Sequence, residues 1–61
     1  MGNSIKLKII GNIYQSVSTM VNGKLFYTPK KGESVILECT EIPAALKKLR
    51  DNNVITIREI V

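Results

Sequence analysis

The chain has 61 residues, nine lysines and arginines against five acids, a single cysteine and no histidine. A chain of this length forms one domain, residues 1–61, and buries only about 60% of its unfolded surface; one cysteine and no histidine exclude an internal disulfide and the usual zinc ligand sets. The net charge of +4 admits anionic partners, although cations this scattered also describe an ordinary solvated surface.

The first element is the run Ile5-Lys6-Leu7-Lys8-Ile9-Ile10, which alternates apolar and basic side chains with the period of a half-buried strand. Ile5, Leu7 and Ile9 are expected to face the core. Lys6 and Lys8 then face water or a partner, where charge also discourages edge-to-edge pairing. Gly11-Asn12 is expected to break the run. Residues 13–19 read as a loop or irregular strand that improves toward Val17, and Tyr14 within it is either an exposed contact aromatic or a cap on a small core.

Val21-Asn22-Gly23-Lys24 is the sharpest local signal, because Asn-Gly supplies the two positive-φ residues of a type I′ hairpin turn. Residues 17–21 should pair with 24–28, setting Met20 opposite Leu25 and Thr19 opposite Phe26. Leu25, Phe26 and Tyr27 are consecutive and cannot share a face, so at least one aromatic points outward unless another layer covers it. Thr28-Pro29-Lys30-Lys31-Gly32 reads as a second turn, with proline early, glycine late and two lysines at the tip. Residues 34–39 follow as a strand rich in β-branched side chains. Val35, Leu37 and Cys39 form its expected buried set, with Ser34, Ile36 and Glu38 outward. Cys39 is expected to be a small buried hydrophobe, with no histidine to activate it.

Only residues 40–53 carry a helical period. Ile42, Ala45, Leu46 and Leu49 fall at i, i+3, i+4 and i+7 and share one side, with Lys47, Lys48 and Arg50 on the other. Thr40 is the expected N-cap, Glu41 suits the first turn, and Pro43 is tolerated there. Asn52 or Asn53 can take the left-handed conformation that ends the helix. Residues 54–61 read as a last strand. The expected fold class is α+β: a small, mostly antiparallel sheet of β-hairpins, one short helix packed on it and a C-terminal strand. A helix this short is marginal alone, so its stripe must lie on the sheet.

Apolar runs reach only three residues, as in Val35-Ile36-Leu37, so no membrane span is expected. The N-terminal stretch lacks the apolar region of a secretory signal, and the lone thiol fits a reducing, intracellular setting. The chain has no histidine, no glycine-rich phosphate loop and no helix bearing two carboxylates one turn apart. No residue is therefore assigned a catalytic, cofactor-binding or metal-binding role, and the chain is not expected to be an enzyme.

The segments Gly23-Lys24-Leu25-Phe26-Tyr27-Thr28-Pro29, Gly32-Glu33-Ser34-Val35, Ile42-Pro43 with Leu46 and Leu49, and Val54-Ile55 together resemble a pattern in small structural and accessory proteins of tailed bacteriophages. The pattern is similar to the short N-terminal module of certain Mu-like prophage proteins and covers roughly residues 21–61. The chain departs from it in the two lysines between Pro29 and Gly32, and in Asn52-Asn53 where such modules often place glycine. The resemblance implies a virion or virion-assembly component, a head, neck or tail accessory subunit, found in the virion or the host cytoplasm. The expected function is a non-catalytic assembly role through contacts with other protein subunits, as a homo-oligomer or part of a larger assembly. Phe26, Tyr27, Lys30, Lys31 and Ile36 are the expected partner contacts. The alternative is a small basic nucleic-acid-binding module that uses Lys24, Lys30 and Lys31 beside Phe26 and Tyr27.

Overall fold

The computed structural model describes residues 3–60, which form, in order, β1 (Ile5–Gly11), β2 (Ser18–Val21), β3 (Lys24–Tyr27), β4 (Ser34–Cys39), α1 (Ala44–Asp51) and β5 (Ile55–Ile60). The fold is α+β. β1 is the middle strand of an antiparallel three-stranded sheet ordered β4-β1-β5, and β2-β3 is a separate two-stranded ribbon. Val61, which the sequence places in the last strand, lies outside the described residues.

Alternation along β1 divides the larger sheet into two unlike faces. Leu7 and Ile9 are wholly buried and Ile5 is half-buried on the inner face, where the register sets them beside Leu37 and Cys39 of β4 and Ile55 and Ile57 of β5. Leu46 of α1 and Val21 of β2 complete this core. The helix lies against β5 and β2, so the stripe Ala45, Leu46 and Leu49 is its inner side. The expected inner faces of β1 and β4 are therefore those observed, with Val35 at the exposed end of the β4 set.

The hairpin follows the expected register residue for residue: Thr19 opposite Phe26 and Met20 opposite Leu25, closed by Asn22 at φ 51° and Gly23 at φ 79°. Both central residues have positive φ, as a type I′ turn requires. Thr28 then closes the open end of the ribbon. Its N–H donates to the Val17 carbonyl at 2.9 Å, and its buried hydroxyl accepts from the Val17 N–H at 2.8 Å.

Two local expectations are corrected. The helix starts at Ala44 with Pro43 in the N-cap position, and no side chain caps it; Thr40 lies in an exposed bend and Glu41 outside the first turn. The proline ring disfavours helical backbone at the preceding residue. Ile42 therefore stays out of the helix, and the start moves past Thr40. Gly11-Asn12 does end the run as expected, with Gly11 the last residue of β1, paired with Ile55 and buried. Second, Pro29 is buried rather than set in the turn. The hydrogen-bonded turn runs Lys30 to Glu33, with the Glu33 N–H donating to the Lys30 carbonyl at 2.9 Å and Gly32 at φ 91°.

The helix ends as the asparagines predict. Asn53 is left-handed at φ 62°, its N–H donates to the Arg50 carbonyl at 3.0 Å, and the Val54 N–H donates to the Leu49 carbonyl at 3.0 Å. This pair of bonds is a Schellman motif, completed by the apolar pair Leu49 and Val54, both packed on the core.

Candidate interaction surfaces

Gly11 gathers the loops at one end of the sheet. Its N–H donates to the Glu33 carbonyl at 3.1 Å, and two residues on the Lys31 N–H donates to the Ile13 carbonyl at 2.6 Å. Residues 29–33 are thereby held across the end of β1. A Cβ at position 11 would collide with the carbonyl oxygens of Pro29 and Lys30. The strap brings Lys31 to the 12–17 loop, where its ammonium lies 5.2 Å from the centre of the Tyr14 ring, within cation–π range. Tyr14 is 76% exposed and so caps no core.

The hairpin has two faces of opposite character. Thr19, Val21 and Phe26 turn inward, Val21 fully and Phe26 in part against the core. Met20, Leu25 and Tyr27 turn outward, each between 57% and 61% exposed. Met20 and Leu25 are cross-strand partners, and Tyr27 lies two residues along from Leu25 on the same face. Three large apolar side chains thus form one continuous outer patch. Between the hairpin and β4 lies a shallow cavity of about 320 Å³ lined by Val21, Leu25, Phe26 and Leu37, with Lys24 and Glu38 also on its wall.

Among the described residues no element covers the outer face of the three-stranded sheet. The register sets Ile36, Lys8 and Arg58 in one row across the strands, and Glu38, Lys6 and Ile60 in the next. Lys6, Lys8, Arg58 and Glu38 are exposed, as are Ile36 at 56% and Ile60 at 41%. Among the described residues the ion pair within 4.0 Å is Arg50–Asp51, on the helix at 3.6 Å. The sheet-face cations are not part of it.

The five partner-contact residues expected from sequence are therefore spread over different surfaces. Tyr27 belongs to the hairpin patch and Ile36 to the open sheet face; Lys30 and Lys31 sit on the strap beside Tyr14; Phe26 is half-buried and faces inward. Of the two strap lysines, Lys31 does meet an aromatic, and the aromatic is Tyr14. Nothing in the sequence marks Met20 and Leu25 as contacts beyond the Asn-Gly register that sets them opposite each other. Cys39 is buried and free, and desolvation raises its pKa above the ordinary thiol value; a backbone hydrogen bond at Glu41 opposes the shift and the Glu41 charge adds to it. Among the described residues no three His, Cys, Asp or Glu side chains are grouped to hold a metal ion, and no helix is long and apolar enough to cross a membrane.

These features define a small α+β domain whose distinguishing surfaces are flat and outward-facing, two faces of unlike chemistry. Comparison with protein-family models, with curated proteins and with solved structures finds no match for the chain.

Proposed function

We propose that the chain is a non-catalytic assembly subunit that joins neighbouring protein subunits through the outer face of its hairpin. The observation that carries this reading is the patch Met20, Leu25 and Tyr27, three large apolar side chains held side by side and more than half exposed. Contiguous exposed apolar groups of this kind mark protein–protein contacts. Tyr27 supplies a rigid aromatic of the sort enriched at the centre of such interfaces. The likeness of residues 21–61 to small tailed-phage proteins makes a virion the assembly we propose, with the chain as a head, neck or tail accessory subunit.

Size-exclusion chromatography with light scattering tests this directly. The expected result is an oligomer, or a complex with a co-expressed neighbour, that persists at high salt because apolar contacts are not screened. Leu25→Glu should dissociate it without changing the fold. A monomer at every concentration and salt, with no complex formed, would refute the reading. One observation favours a second reading, a weak nucleic-acid contact: the exposed Tyr14 ring carries the Lys31 ammonium over its face. That binding would fall steeply as salt rises, and Tyr14→Ala would weaken it.

A further inference from the structure

The outer face of the β4-β1-β5 sheet carries a charge arrangement that the fold itself does not need. Lys8 of the central strand stands directly across from Arg58 of β5, and Lys6 lies one row away. Directly opposed cross-strand residues have Cβ atoms only about 5 Å apart, and like charges at that spacing are unfavourable. Glu38, across from Lys6 in the register, is the face's one carboxylate against three cations. Between the cations stand Ile36 and Ile60, exposed, and Ile10, half-buried. A solubilising surface would alternate charge signs and keep isoleucine off it.

We infer that this face is a docking site for an acidic partner protein, one presenting carboxylates interleaved with aliphatic side chains. Charge complementarity selects the sign: carboxylates set over Lys8 and Arg58 would relieve their mutual repulsion. Two copies of the chain would bring like-charged faces together, so a second copy is disfavoured here. Nucleic acid would meet the cations but leave the isoleucines uncovered, and the face offers no aromatic ring on which bases stack. An acidic, aliphatic protein surface satisfies both components. The footprint between outermost Cα positions is about 10 by 14 Å, from strand and residue spacing. That is well short of the roughly 800 Å² per partner of a stable interface, so the contact is weak, salt-sensitive and separate from the apolar hairpin patch.

The test uses the full chain and a fluorescent peptide of about four Glu-Ser-Leu-Ser repeats, which as an extended strand shows Glu and Leu alternately on one face. The expected result is binding at low salt that weakens about tenfold or more when salt is raised past about 0.15 M. Amide shifts should concentrate at Lys6, Lys8, Ile10 and Arg58, with none at Met20 or Leu25. The double variant Lys8→Glu, Arg58→Glu should lose binding about tenfold or more while keeping its amide spectrum and oligomeric state. Arg58→Gln, a milder change, should lose part of it. The inference is overturned if the peptide fails to bind, if a Lys-Ser-Leu-Ser peptide binds as well, if the double variant binds unchanged, or if oligothymidylate of equal length binds more tightly at this face. Leu25→Glu separates the two surfaces: it should abolish subunit association and leave peptide binding intact.

Discussion

Replacing Gly11 by alanine should destabilise the domain far more than its place in a strand implies. Gly11 does not hold a positive φ; among the described residues the glycines that do are Gly23 and Gly32. In ordinary backbone a Gly→Ala change stabilises by about 0.4–1 kcal/mol through the unfolded chain. Here the added methyl meets main-chain oxygens of Pro29 and Lys30, and backbone cannot rotate aside as a side-chain tip can. Overpacking of this kind costs about 1–3 kcal/mol. The strap can retreat only by loosening Gly11 N–H to Glu33 and Lys31 N–H to Ile13, worth about 1 kcal/mol each. A loss near 3 kcal/mol follows, and at roughly 4–8 °C per kcal/mol for a domain of this size the melting temperature should fall by about 12–24 °C. Total stability for such a chain is on the order of 3–9 kcal/mol, so the variant would keep about 0–6 kcal/mol of it. Thermal melts followed by far-UV circular dichroism, with urea titration as a check, measure it. An unchanged or raised melting temperature would show that the strap does not lie on Gly11.

Other perturbations test other parts of the fold. Leu46→Ala empties a wholly buried site and should cost about 2–5 kcal/mol, whereas Lys47→Ala, exposed on the outer side of α1, should leave the melt unchanged. Gly23→Val places a β-branched residue at φ 79°, a strained conformation, and should lower the melting temperature by several degrees while leaving the helix signal below the transition intact. Lys8→Glu turns a like-charged cross-strand pair with Arg58 into an opposite one and should stabilise by about 0.5 kcal/mol, visible as a raised melting temperature that high salt abolishes. Burial raises the Cys39 pKa in the folded state. The thiol should therefore react with iodoacetamide much more slowly folded than unfolded, and its contribution to stability, complete below the unfolded thiol's pKa, should decline as pH rises past that value.

Much of the fold was legible because it is set by near neighbours in the chain. Asn22-Gly23 fixes a turn, the turn fixes the register of Thr19–Phe26 and Met20–Leu25, and alternation along β1 and β4 fixes their inner faces. The helix start was misplaced because two local rules compete at residues 40–43. Thr40 is the better cap by composition, but Pro43 restrains Ile42, and steric exclusion outweighs a single side-chain hydrogen bond. The role of Gly11 was not legible at all, since it depends on a strap 18 or more residues further along passing over it.

The candidate surfaces were only half legible, for a reason internal to the hairpin. Residues 19, 21 and 26 make one apolar face and residues 20, 25 and 27 another, so periodicity alone could not say which would be buried. The choice falls to what covers the ribbon. Among the described residues that is one helix of eight residues, about 12 Å of cylinder, enough for one face of β5 and β2 but not for a second layer. The described residues therefore leave one face of the ribbon and one face of the sheet exposed. What distinguishes them is how the bare positions are filled. On the sheet the filling is three cations and Glu38 among isoleucines; on the hairpin it is Met20, Leu25 and Tyr27 without a charge among them. An interface made by the first must weaken with salt and one made by the second must not, so the two surfaces can be assigned separately in the same protein by ionic strength alone.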